Sequence, residues 1–293
     1  MSLSLTRIAT IVLAQSDVKD FETALGTIPL LEDLNILSEG KAFEGRVTNS
    51  LTQTDILNAL SACDIKADVC IQNNEGRKKK LLICDMDSTL IGQECIDELA
   101  DFAGVKDRVS AITERAMRGE IGFEGALTER VSLLKDLDVS VLQQCFEDRI
   151  TLNHGARTLC QTMKSNGAKT VIVSGGFTFF SGRVANACGF EIHQANTLLE
   201  NNDKLTGTVG IPILGREAKL EALNNHSAEF GGASQAIAIG DGANDLAMIT
   251  AAGLGIAFYA KPVVAAQAHC AINHTDLATV LYFQGYRDSE FVS

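Results

Sequence analysis

Leu81-Leu82-Ile83-Cys84-Asp85-Met86-Asp87-Ser88-Thr89-Leu90 is an apolar run that ends abruptly in two aspartates one residue apart. Four buried-type residues in a row read as a strand covered on both faces, which is the habit of a parallel sheet. A carboxylate costs several kcal/mol to bury without a partner, so two at one strand end call for a cation or a reaction. The stretch therefore predicts metal-assisted chemistry at the carboxyl edge of a parallel sheet.

Working outward from it, further strands are expected at Thr170–Val173, Ala236–Ile239 and Gly255–Phe258. Helices are expected between them at Gly155–Asn166, Phe179–Cys188, Ala218–Asn224 and Asp245–Ala252. This alternation predicts an α/β fold with a doubly wound, mostly parallel sheet. Residues from about 92 to 150 interrupt it with helical spacing and few turn signals, too long for a simple crossover. They predict a helical cap set over the strand ends.

Upstream, residues 1–72 read as a small α+β unit. Strands at Arg7–Ala14, Leu34–Ser38, Lys41–Val47 and Ala67–Gln72 alternate with helices at Asp17–Leu25, opened by Ser16 or Asp17, and Thr52–Cys63. That βαββαβ order is the order of a ferredoxin-like module. The polar stretch Asn73–Lys80, with its basic run Arg77-Lys78-Lys79-Lys80, reads as a linker to a second unit over residues 81–293,.

A length of 293 residues suits one large domain or two smaller ones, and 46% hydrophobic with 21% charged residues is a globular composition,. The net charge of −12 argues against nucleic acid as the main partner but leaves room for a small phosphorylated substrate at a locally positive site,. Eight cysteines without a C-x-x-C pair read as reduced thiols of a cytoplasmic protein,. The apolar run Ile8–Ala14 behind Arg7 has no cleavage-type sequence after it and reads as a strand rather than a leader,. No stretch approaches the ~20 residues of a membrane span.

Three strand ends carry polar clusters: Asp85-Met86-Asp87-Ser88-Thr89, Ser174-Gly175-Gly176 and Asp241-Gly242-Ala243-Asn244-Asp245. In a parallel sheet, such ends converge on one crevice. Alone, each piece has a plain reading. A D-x-D is common in solvated loops, and Ser-Gly-Gly is either a strand-to-helix turn or a nest of N–H groups for phosphate. Gly240-x-Gly242-x-x-Asp245 approaches the dinucleotide fingerprint, but its third position holds a charged aspartate where that motif needs a glycine,. The five histidines show no ligand spacing.

Together, Asp85-x-Asp87-x-Thr89, Ser174, Lys219 and Gly240-Asp241-x-x-x-Asp245 resemble the four motifs of the haloacid dehalogenase-like (HAD) phosphohydrolase superfamily, in order from about residue 81 to 275. The longer strings around them resemble members of that superfamily that act on phosphoserine. Residues 1–72 resemble, more weakly, the ACT-like regulatory domains attached to some members.

The resemblance implies that Asp85 is a nucleophile forming an aspartyl-phosphate and that Asp87 protonates the leaving oxygen, then activates water. It implies Mg²⁺ on the Asp85 and Asp241 carboxylates and the Asp87 backbone carbonyl, with Asp245 supporting from behind. Substrate phosphate would meet the Ser174 hydroxyl, the Gly175 N–H and Lys219, with Asn244 nearby. Glu94 would face a substrate ammonium and Arg130 its carboxylate, while Met117 and Phe123 wall the pocket. Without the resemblance, Lys219, Glu94 and Arg130 read as solvated helix charges.

The expected activity is Mg²⁺-dependent hydrolysis of O-phospho-L-serine, the last step of serine synthesis. Two alternatives accompany it. One is a phosphatase or phosphotransferase acting on another small phosphorylated amino acid or alcohol, such as one using homoserine. The other is an amino-acid sensor with a vestigial core, against which the complete motif set argues. The sequence leaves open a homodimer and an amino-acid effector at residues 1–72.

Overall fold

A computed structural model describes residues 6–293 except 16, 29, 30, 48, 49 and 119. The N-terminal unit runs β1 (Arg7–Leu13), α1 (Val18–Thr27), β2 (Leu31–Ser38), β3 (Ala42–Val47), α2 (Gln53–Ser61) and β4 (Ala67–Asn73). Its sheet has the order β2-β3-β1-β4, and β1 pairs antiparallel with both β3 and β4. That is the ferredoxin-like arrangement. Asp17 starts α1 by accepting from the Lys19 and Asp20 N–H groups, while Ser16 lies outside the described residues. Thr52 and Asp55 form a reciprocal capping box on α2,.

Alternation along β1 serves two cores. Ile11 and Leu13 point to α1 and α2 with Phe21, Phe43, Ile56 and Leu60. Val12, with Leu37, Ala42 and Cys70, faces the other way and joins the core of the C-terminal unit,. The basic run expected to be a plain linker is pinned at each step. Arg77 pairs with the buried Glu44, and Lys78 lies 3.9 Å over the Tyr286 ring and pairs with Glu290. Lys79 Nζ donates to Ser234 O at 3.0 Å.

The second unit starts with β5 (Leu81–Cys84), followed by cap helices α3 (Cys95–Phe102), α4 (Lys106–Met117), α5 (Phe123–Ser132) and α6 (Ser140–Arg149). A bridge between Ile91 and Leu152 closes the base of this insert. Then come α7 (Ala156–Ser165), β6 (Lys169–Phe177), α8 (Thr178–Cys188), β7 (Ile192–Asn196) and a hairpin, β8 (Leu198–Asn201) with β9 (Lys204–Val209). The chain closes with α9 (Arg216–Ser227), β10 (Ala236–Gly240), α10 (Leu246–Ala251), β11 (Leu254–Phe258), α11 (Pro262–Ala265), β12 (Cys270–Ile272) and α12 (Thr279–Phe283).

The sheet order is β12-β11-β10-β5-β6-β7, and every pairing in it is parallel. From β5 the chain first builds outward through β6 and β7, then returns to β10 on the other side. β5 is therefore the switch point, where a crevice opens outside the carboxyl ends of the strands. Leu82 and Cys84 face α7 and α8, whereas Leu81 and Ile83 face α9 and α10. Two strands, β7 and β12, exceed the four expected. Both are edge strands, the first largely polar and the second three residues long.

Asp68 joins the two units. Only 2% exposed, it accepts from the N–H groups of Asn273, His274 and Thr275 and from the Thr275 hydroxyl, at 2.7–3.2 Å. Asp68→Ala leaves four donors without their acceptor. We expect it to cost about 3 kcal/mol and to lower the melting temperature by roughly 6 °C or more. Thermal unfolding of the intact chain checks this.

Candidate active site

Each of the three polar strand ends reaches the crevice. Asp85 follows β5 and is 5% exposed, and its N–H donates to Ile239 O in β10 at 2.9 Å. Its Oδ1 accepts the Met86 N–H at 2.7 Å, and its Oδ2 lies 2.8 Å from Lys219 Nζ. Lys219 is 1% exposed on α9 and also bonds Asp245 Oδ1 at 2.5 Å. Asp245, in turn, accepts the Gly242 N–H at 3.0 Å. Lys219 thus sits behind the cleft, bridging two carboxylates, and is not one of the residues lining it.

Asp87 is bound differently. Its Oδ1 accepts the Cys95 N–H at 2.9 Å, and its Oδ2 accepts the Ser174 hydroxyl at 3.3 Å. The donor Cys95 opens the first cap helix, so the cap base helps orient this carboxyl. Gly176 allows the approach, because a Cβ there would stand 2.3 Å from Asp87 Oδ2. Gly240 does the same on the next strand, where a Cβ would meet Asp245 at 2.4 Å.

The Ser174-Gly175-Gly176 segment belongs to a strand and is not a strand-to-helix turn. β6 continues through Phe177, and α8 begins only at Thr178. These residues therefore present extended backbone to the crevice, with a register break against β7 between Val173 and Phe177. Asn196 fixes that strand end by donating to Gly175 O at 2.9 Å and to Leu214 O at 3.2 Å.

The electrostatics follow from three carboxylates facing one buried ammonium. Burial and then Asp245 push Asp85 well above the ordinary range, against the pull of Lys219. Burial alone would lower Lys219, but Asp245 and Asp85 outweigh it and hold the ammonium above its ordinary value. Burial, then Asp245, raises Asp241 to about 6. Asp87 is raised by burial, opposed by its bonds from Cys95 and Ser174. Oxygens of Asp85, Asp241 and Asp245 lie within 4.8 Å of one another. An all-oxygen donor set with uncompensated negative charge fits a divalent cation.

The cleft above holds about 550 Å³ and extends under the cap. Glu94 and Arg130 both line it. Glu94 keeps a water-accessible surface, yet the walls around it and then the Asp87 charge raise its carboxyl to about 7. Arg130, on α5, donates to Ala126 O at 3.3 Å, and no carboxylate among the described residues lies within 4 Å of its guanidinium. Phe123 packs from the cap onto the core, where its ring would be 3.0 Å from a Cβ at Gly175. Asn244 and Gly175 line the cleft too. The side chain of Met117 lies outside the described residues.

Sequence reasoning gave no role to four polar lining residues: Ser88, Asp97, Thr113 and Lys261. Lys261 follows β11, so the strand-end rule applied to the other three strands could have found it. Asp97 falls one helical turn after Glu94, at a spacing that places both on one helix face,. Ser88 and Thr113 carried no comparable signal.

The profile of the haloacid dehalogenase-like hydrolase family matches residues 82–250, and a second profile with that description matches residues 218–283. Phosphoserine phosphatase of Streptomyces coelicolor is 42% identical over 239 residues, covering 81% of this chain and 58% of that protein. The chain thus spans less than two thirds of that relative. The unliganded structure of a probable phosphoserine phosphatase from Vibrio cholerae superposes with a TM-score of 0.79 at 32% identity, covering 96% of this chain and 87% of that one. A phospho-aspartyl intermediate analogue of phosphoserine phosphatase superposes with a TM-score of 0.65 at 40% identity, covering 70% and 98%.

Proposed function

This chain belongs to the haloacid dehalogenase-like hydrolases, and on that premise we propose that it hydrolyses O-phospho-L-serine to L-serine and phosphate, as the last step of serine synthesis in the cytoplasm. The observation that carries the reading is the unlike setting of its two aspartates. Asp85 is bonded by a cation, Lys219, whereas Asp87 is bonded by a neutral N–H and a hydroxyl. Two carboxyls in unlike settings hold different protonation states, as a nucleophile and a general acid require.

Asp85 attacks phosphorus and becomes the aspartyl-phosphate, which the phospho-aspartyl analogue of the similar phosphatase supports,. Asp87, whose carboxyl burial pushes above its ordinary value, gives its proton to the serine oxygen and afterwards takes one from water,. Ser174, the Gly175 N–H and Asn244 receive the phosphoryl oxygens, and Lys219 adds its positive charge from behind Asp85,. Asp85, Asp241 and the Asp87 backbone carbonyl would hold Mg²⁺, with Asp245 behind them. Bound there, the ion would supply positive charge that favours the ionised form of Asp85 and offsets charge on the phosphoryl group.

Glu94 takes the substrate ammonium and Arg130 the carboxylate, with Phe123 and Met117 closing the pocket. A cytoplasmic location agrees with eight unpaired cysteines, and none of the described helices is long and apolar enough to cross a membrane. The division of the chain at residues 73–80 into a ferredoxin-like unit and a phosphatase unit belongs to the same proposal.

Ligand binding at Glu94 should depend on pH. Ammonium binding needs the ionised carboxylate, and that form is lost as pH falls through about 7 in the cation-free protein. Affinity for L-serine should therefore weaken about tenfold from pH 8 to pH 6, and Glu94→Gln should remove that dependence. Calorimetric titration at the two pH values measures it.

Phosphate release from phosphoserine, phosphothreonine, phosphohomoserine and phosphoethanolamine, with and without Mg²⁺ and with homoserine as acceptor, tests the function. We expect the highest kcat/KM for phosphoserine and its loss on chelation. Equal rates across the panel would overturn the substrate assignment.

A further inference from the structure

Ser88, directly after the second aspartate, has φ 54°. That is the left-handed region, where a residue with a Cβ is disfavoured and glycine is at ease. The backbone of the turn does not need a side chain there. Ser88 N–H donates to Gln93 O at 3.2 Å, and the Leu90 N–H donates to Met86 O at 2.8 Å. Glycine would make the same bonds without strain.

What serine adds is a hydroxyl, which donates to Glu94 Oε1 at 2.7 Å. Ser88 and Glu94 both line the cleft. Among the described residues no cation lies within 4 Å of the Glu94 carboxylate, so this hydroxyl is the group that holds it. Glu94 precedes the first turn of α3, and its side chain makes no capping bond. Without Ser88 it would be free to rotate among solvent-facing rotamers. Strained backbone persists where surrounding structure or function maintains it, and it clusters at binding sites.

We propose that Ser88 is a positioning residue for substrate selection. Its hydroxyl fixes Glu94 Oε1 and leaves Oε2 turned to the ammonium group of an amino-acid phosphomonoester. The left-handed backbone at Ser88 is retained for that bond, at the expense of stability. This assignment rests on the reading of Glu94 as the ammonium partner.

The test compares the parent with S88G and S88A on two esters: O-phospho-L-serine, and the phosphate monoester of 3-hydroxypropanoate, which keeps the carboxylate and lacks the ammonium. In both variants the kcat/KM preference for phosphoserine should fall about 5- to 30-fold, through KM more than kcat. S88G should melt about 2 °C higher than the parent, because the strain is gone, while S88A should not. A preference as large as the parent's in S88G and S88A, or an equal loss on both esters, overturns the assignment. An S88G protein that melts below the parent overturns the claim of strain. A parent with no preference between the esters overturns the Glu94 reading, and the assignment with it.

Discussion

Asp85→Asn should reduce phosphate release by at least about 10⁴-fold, the scale seen when a covalent nucleophile is removed. An amide is a poor nucleophile, and Asp87 is not placed to replace Asp85, because it is turned to the Cys95 N–H and the Ser174 hydroxyl. The loss should come without unfolding. Lys219 keeps its bond to Asp245, and one of two carboxylates crowding a single ammonium becomes neutral. The melting temperature of the variant should therefore stay near that of the parent. Asp87→Asn makes the informative contrast, since it leaves the nucleophile and removes the proton carrier. It should slow both half-reactions while still allowing phosphorylation by esters with good leaving groups. Steady-state assays with both variants, beside their melting curves, separate the two roles.

Lys219→Met carries the second large effect, and its first readout is stability. The substitution leaves Asp85 and Asp245 buried, close together and without their shared cation. Breaking a buried ion pair on one side costs about 3–5 kcal/mol, so the cation-free variant should melt roughly 10 °C lower. Mg²⁺ should restore part of the loss by replacing the missing positive charge. Lower pH should do the same. Asp85, already raised by burial, would then bind its proton more tightly folded than unfolded, so its protonation favours the folded state as pH falls,. Melting curves with and without Mg²⁺ at two pH values check all three statements. A variant as stable as the parent would show that Lys219 does not hold the two carboxylates together.

Much of this was legible in the sequence because buried parallel strands read as uninterrupted apolar runs. β5 and β10 are of that kind, and an aspartate directly follows each, so their convergence at one sheet edge could be expected from the pattern,. β7, with the sequence Ile192-His193-Gln194-Ala195-Asn196, was not legible because an edge strand meets solvent and carries polar residues. The β8–β9 hairpin did carry a signal. Asn202 and Asp203 turn between the strands with φ 51° and 61°, and such a pair is a recognised hairpin turn,.

Side chains acting at a distance were the hard part. Lys219 looks like any lysine near a helix start, and only the packing of α9 against the sheet places its ammonium between Asp85 and Asp245. The Ser88–Glu94 bond joins residues six apart through an irregular turn, where no periodicity applies. The four basic residues before β5 read as a solvated linker because sequence carries no trace of Glu44, Tyr286 or Ser234 waiting opposite them.

The different tasks of the two aspartates are tested most directly by catching the intermediate. The protein is mixed with Mg²⁺ and phosphoserine, quenched in acid within the first turnovers, digested, and its peptides are weighed. The expected result is a phosphoryl group on the peptide spanning Leu81–Leu90, localised to Asp85 and absent from Asp85→Asn. Phosphate release at full rate with no phosphorylated peptide, or with the group on Asp87, would contradict it.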